Sequence, residues 1–162
     1  MATGTDHSTK EDADRELVIT RIIDAPRTRV FEAWTNPQQL AQWWGPHGMT
    51  TPLCEMDLRP GGIFRTVMRD AKGVEYPNEG FFVEIVEPER ISFTDKLDED
   101  GRPSREAFML AIATFEEHEG KTKLTARALH YTDANRDKHE QMGFHKGWGE
   151  MLERLEAHVA KP

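Results

Sequence analysis

The chain has one cysteine, Cys54, so it can form neither an internal disulfide nor, by that residue alone, a thiolate metal site. Cys54 lies in the strand-like run TPLCEMDL with no His or Asn spaced to activate it, and reads as a small inert hydrophobe. No apolar run approaches the roughly 18 residues needed to cross a bilayer, and the N-terminus lacks the basic start and apolar stretch of a signal peptide. A cytoplasmic location without membrane insertion is expected. Cationic clusters are missing too: the 21 Lys and Arg residues are scattered through a chain of net charge −8, which offers no footprint for a phosphate backbone. Nucleic acid is therefore not an expected partner.

Chemical signatures are equally sparse. His139, His145 and His158 do not provide the three- or four-residue spacing of zinc-ligand pairs such as H-E-x-x-H, so no metal is expected. G-x-S-x-G elbows, P-loops and G-x-G-x-x-G after a strand do not occur, and no cofactor is expected. Pro60-Gly61-Gly62 reads as a turn.

What remains is a patterned chain of 162 residues, a length that suits one domain. Residues 1–14 hold almost no apolar side chains and are expected to form a disordered tail, leaving residues 15–160 for the domain. Glu16 to Ile23 is β-branched and reads as a strand stopped by Asp24-Ala25-Pro26. Val30, Phe31 and Trp34 then share a helical face, and Asn36-Pro37 starts a second helix carrying Leu40, Trp43 and Trp44.

After Gly45-Pro46-His47-Gly48 the period becomes two. Strands are predicted over Thr51–Leu58, Ile63–Arg69, Gly80–Val86, Arg90–Leu97, Glu106–Glu116 and Thr122–Tyr131, separated by turn residues. From Asp133, read as an N-cap, to Val159 the period is helical. Phe144, Trp148, Met151, Leu152, Leu155 and Val159 make one apolar stripe. Gly143, Gly147 and Gly149 interrupt it at a cost of about 1 kcal/mol each, which predicts either close packing on the sheet or room for a ligand. The outward Glu150, Glu153, Arg154 and Glu156 read as a solvated face.

The phrases ITRIIDAPRTRVFEAWTNPQQLAQWWGPHGM, RPGGIFRTVMRD, GFFVEIVEPERISFT and MGFHKGWGEMLERLEAHV, in that order, resemble the START-like (SRPBCC) superfamily. Within it they are most similar to the branch of homologues of the activator of the heat-shock chaperone ATPase, over residues 16–160. The resemblance implies an α+β helix-grip fold: a seven-stranded antiparallel sheet curved around a long C-terminal helix, with two short helices between strands one and two. It also implies a deep cavity, which relatives use for lipids, polyketides, hormones and other hydrophobic molecules. The branch takes its name from a two-domain co-chaperone, and one domain alone argues against a chaperone partner.

The expected function is binding of a hydrophobic or aromatic small molecule, with two alternatives. One is a cyclase-, dehydratase- or hydrolase-type enzyme working in the same cavity, and the other is a co-chaperone. Helix-side candidates for the cavity are Phe144, Trp148, Met151 and Leu155; sheet-side candidates are Phe64, Met68, Phe82, Phe93, Phe108 and Leu110, each of which could equally be core. Trp43, Trp44 and His47 would stand at the mouth, as lid or as structural corner. For catalysis the candidates are Glu84, His47 and His145. Glu84 interrupts FFVEIV and points either to solvent or inward, where His130 could partner it. A homodimer through an edge strand is left open.

Overall fold

The computed structural model describes residues 14–160, so the expected tail lies, except for Asp14, outside the described residues. Seven strands form one antiparallel sheet in the order β1-β7-β6-β5-β4-β3-β2. They are β1 (Glu16–Ile23), β2 (Thr50–Met56), β3 (Ile63–Arg69), β4 (Glu75–Val86), β5 (Arg90–Thr94), β6 (Leu110–His118) and β7 (Lys121–Leu129). Helices α1 (Arg27–Thr35) and α2 (Pro37–Trp43) follow β1, and α3 (Asp133–Gln141) and α4 (Phe144–Val159) end the chain. This is the expected α+β helix-grip architecture.

The α1–α2 corner forms where local chemistry dictates. Asn36 ends α1 in extended conformation and its side chain accepts the Gln39 N–H at 3.1 Å, capping α2 with Pro37 in its first turn. Trp34 and Trp43 are fully buried with ring centroids 5.0 Å apart, and Trp43 Nε1 donates to the Ala33 carbonyl at 3.2 Å.

Register sets which side chains face the helices. Phe82, Phe93, Ala111, Ala128 and Leu17 stand opposite one another across five strands, and all are buried. A second row pairs Ile91, Ala113, Ala126 and Ile19. The alanines of β6 and β7 leave room for α4, which buries Phe144, Met151, Leu152, Leu155 and Val159 beneath it. Each such side chain contributes roughly 1.5–3 kcal/mol by leaving water.

Several boundaries differ from expectation. β4 begins at Glu75 rather than Gly80, because the polar segment EYPNE pairs with β3 in spite of Pro77, which stands opposite Val67. β6 begins at Leu110 rather than Glu106: the Asp95 carboxylate accepts the N–H groups of Phe108 and Met109, both bonds to Phe108 at 2.9 Å, and draws that segment out of the ladder. The C-terminal helical region is two helices, not one. Gly143 adopts φ +94° between them, a conformation open to glycine, and the cap of α3 is Thr132 rather than Asp133, its hydroxyl accepting the Asn135 N–H.

Candidate functional site: an apolar cavity under the last helix

Phe144, Gly147, Trp148 and Met151 follow the i, i+3, i+4, i+7 spacing of one helix face, and together they roof a cavity of about 370 Å³. Opposite them β3 contributes Phe64, Thr66 and Met68, alternate residues of one strand face. Asn78 and Gly80 of β4, Phe93 and Thr94 at the end of β5, and Met109 just before β6 complete the floor. His139 and Met142 close one side and Trp44, Gly45 and Pro46 the other.

The walls are aromatic and mutually supporting. Phe64 stacks on Phe82 at 5.1 Å, and the Trp44 ring stands edge-on to Phe64 at 5.5 Å and to Trp148 at 6.4 Å. Gly147 leaves space by design of the sequence: a Cβ there would meet nothing within 4 Å. Gly149 by contrast packs toward Ile19, whose Cδ1 would lie 3.7 Å from an added Cβ. The two glycines thus divide between the two uses that glycine spacing predicted.

A family model described as Activator of Hsp90 ATPase homolog 1-like protein matches residues 24–160. The chain belongs to this family. A solved protein from Nitrosomonas europaea is 36% identical, with a TM-score of 0.85 over 93% of this chain and 97% of its own. One from Mycobacterium smegmatis is 27% identical, with a TM-score of 0.77 over 93% and 94%. The fold extends to an AHSA1-like protein from Aeromonas hydrophila, 22% identical with a TM-score of 0.69 over 90% and 92%. No curated protein matches the chain.

In this member of the activator-homologue family, the cavity gathers Trp44, Phe64, Met68, Phe93, Phe144, Trp148 and Met151 from the expected set. Leu155 is fully buried and lies beyond the cavity, in the core. Trp43 and Phe82 are also fully buried, one bonded within the α1–α2 corner and the other stacked behind Phe64. Leu110 does not line it: β6 turns Ala111, Ala113 and Phe115 to the core, so Met109 holds the position facing the cavity. Phe108 packs instead on His130 and His139, at 5.7 and 5.1 Å.

None of the three acid–base candidates reaches the cavity. Glu84 is exposed on the outer face and paired with Arg90 at 2.7 Å, a hydrogen bond that holds its carboxyl below the ordinary range. His145 is exposed beside the Phe144 ring. His47 is exposed and bonds Glu153 through Nε2 at 3.0 Å, while its backbone N–H donates to Glu150 at 3.1 Å. The Cys54 thiol is pushed up to about 11 by burial and by Glu55, so it stays protonated at neutral pH. Among the described residues no group of three His, Cys, Asp or Glu side chains is placed to hold a metal ion, and no helix is long and apolar enough to cross a membrane.

Sequence reading missed two elements of the site. The outer face of α4 is not simply solvated: Arg154 donates to the carbonyls of Trp44, Gly45 and Pro46 at 3.1, 2.9 and 3.2 Å, and so ties down the loop that carries the Trp44 wall. The other is His139, buried and facing the cavity, with Nδ1 2.9 Å from Nε2 of His130. Its only sequence signal was a histidine on a strongly polar helix, which carries no direction.

Polar groups in the cavity are few, and among the described residues none is cationic at neutral pH. Among the described residues no lysine or arginine lines it. Its two carboxylates are engaged elsewhere, Glu79 by Arg65 and Asp95 by the backbone of Phe108 and Met109. Thr94 spends its hydroxyl proton on the Met109 carbonyl at 2.7 Å. The arrangement can enclose an apolar body, and it has no fixed cation to neutralise an anion.

Proposed function

We propose that the chain binds an uncharged, ring-containing small molecule in this cavity and acts as a carrier or sequestering protein. The observation that carries the reading is an aromatic and methionine-rich cavity of about 370 Å³ that no lysine or arginine lines among the described residues. Sites for drug-sized ligands occupy about 300–1,000 Å³. Flat walls at Trp44 and Trp148 suit rings, whereas a fatty-acid carboxylate would enter a largely apolar space without a cationic partner, which is costly. The ligand-binding reading draws further support from the family's fold. The carrier reading is favoured over the enzyme reading because Glu84, His47 and His145 stand outside the cavity.

The test is titration with the uncharged probe N-phenyl-1-naphthylamine, whose emission rises in apolar surroundings, followed by competition with naphthalene derivatives and with dodecanoate. Saturable binding with displacement by the aromatic competitors and not by dodecanoate is expected. An absence of saturable binding, or dodecanoate competing as well as the neutral rings, would refute the proposal.

A further inference from the structure

His130 and His139 form a directed chain of hydrogen bonds that ends at the cavity. His130 Nδ1 lies 2.7 Å from the carbonyl oxygen of Arg15, which can only accept, so this nitrogen carries a proton. In a neutral His130 the other nitrogen, Nε2, must then accept. It lies 2.9 Å from His139 Nδ1, which therefore donates. The direction propagates to the last atom: His139 Nε2 has no proton, only a lone pair.

That atom has no hydrogen-bond partner among the described residues, although His139 is only 8% exposed and lines the cavity. Its ring is held on other sides by Phe108 and Phe144, each with a centroid at 5.1 Å, so it has little freedom to turn elsewhere. Burial holds both imidazoles below their ordinary range, His139 at about 4, which keeps the chain neutral and its direction intact at physiological pH.

We propose that His139 Nε2 is the polar anchor of the cavity and accepts a hydrogen bond from a hydroxyl group on the ligand, with His130 as the positioning residue that fixes its tautomer. The assignment rests on the cavity binding proposed above and narrows the ligand class to phenols and similar uncharged, hydroxyl-bearing ring compounds. A ligand that offers only an acceptor, such as a ketone, would meet a lone pair at His139 and would have to turn to the Thr66 hydroxyl or the Asn78 amide for a donor.

Two probes of similar size separate this from simple apolar filling: 2-naphthol, which has a donor, and 2-methylnaphthalene, which has none. Each is titrated as a competitor of N-phenyl-1-naphthylamine on the wild type, His139→Phe, His139→Gln and His130→Leu. His139→Phe is expected to weaken 2-naphthol by about tenfold and 2-methylnaphthalene by less than about twofold, since one net hydrogen bond corresponds to that ratio. His139→Gln, which keeps an acceptor, should restore part of the loss, and His130→Leu should weaken 2-naphthol alone.

A readout independent of substitution is the nitrogen-15 spectrum of histidine-labelled protein. The His139 Nε2 resonance should be that of an unprotonated imine nitrogen and should shift upfield with 2-naphthol but not with 2-methylnaphthalene. Equal losses for the two competitors in His139→Phe, or an unmoved Nε2 resonance when 2-naphthol is bound, would overturn the anchor while leaving the cavity reading intact. If neither compound displaces the probe from the wild type, both readings fail.

Discussion

Arg154 projects from the outward side of α4 and yet reaches Trp44, whose carbonyl oxygen lies 3.1 Å from its Nη1. Gly45, next in the chain, takes φ +96°, and a Cβ there would come within 2.8 Å of Met68 Sδ. The loop between α2 and β2 is thus pinned from the helix side by a guanidinium and from the sheet side by close packing. Its Trp44 ring forms the wall that divides cavity from core.

Replacing Arg154 with Ala should therefore act on both stability and binding. Half-buried carbonyls lose a charged donor, so a loss of about 2 kcal/mol in urea unfolding is expected, with Lys in place of Arg giving an intermediate value. Probe affinity should fall several-fold as Trp44 loosens. Unchanged midpoint and affinity would show that the loop holds itself in place.

Gly147 offers the cleanest test of the cavity, because a side chain added there enters open space. Gly147→Ala should stabilise by up to about 1 kcal/mol through helix propensity, read as a thermal midpoint higher by roughly 2–4 °C. Gly147→Leu should fill the cavity and reduce probe affinity by at least about tenfold. Full affinity in the leucine variant would mean the probe binds somewhere else.

Trp148 and Trp43 should separate binding from folding. Trp148 is partly buried, lines the cavity and packs on Phe144 at 5.6 Å. Trp43 is fully buried with its N–H bonded to Ala33. Trp148→Ala is expected to weaken the probe by more than about tenfold, with a modest stability loss of about 1–2 kcal/mol. For Trp43→Ala the expected cost is about 3–5 kcal/mol of stability. Equal stability losses in the two variants would refute the division.

Acid should destabilise the fold through the buried histidine pair. Both folded-state values lie below the ordinary 6.5, His139 at about 4, so the unfolded chain takes up protons that the native state refuses. The stabilising effect is complete above about pH 6.5 and is lost as pH falls toward 4. For His139 the loss amounts to about 2–3 kcal/mol. The carboxylates of Asp70, Glu84 and Glu106, also held low, act only further into acid. Urea midpoints at pH 7.5, 5.5 and 4.5 should fall less steeply in His139→Phe than in the wild type. Parallel curves would remove the pair as the cause.

Much of the fold was legible because its signals are local. ELVITRII, the Asn36-Pro37 cap and the alternation in IFRTVMR each involve neighbours within a few residues, and the sequence alone determined those elements. The stripe Phe144, Trp148, Met151 and Leu155 likewise followed from helical spacing alone, although it runs through a helix that starts at Phe144 rather than at Asp133. Resemblance to a known family then supplied the grip that local pattern cannot express.

Only the tertiary structure decided which face of each strand looks inward. In Phe108-Met109-Leu110 every residue is apolar, so hydrophobicity could not choose, and the choice came from the Asp95 carboxylate holding two backbone N–H groups just ahead of β6. Glu84 was settled by the register shift between Phe82 and Glu84 where β4 pairs with β5, which turns Glu84 away from the face of Phe82 to the outer side, where Arg90 pairs with it. His139 meets His130 only because α3 folds back over the end of β7, and Arg154 meets Trp44 across 110 positions of chain. Interactions of that kind depend on register and helix placement together, and no periodicity in the sequence encodes them.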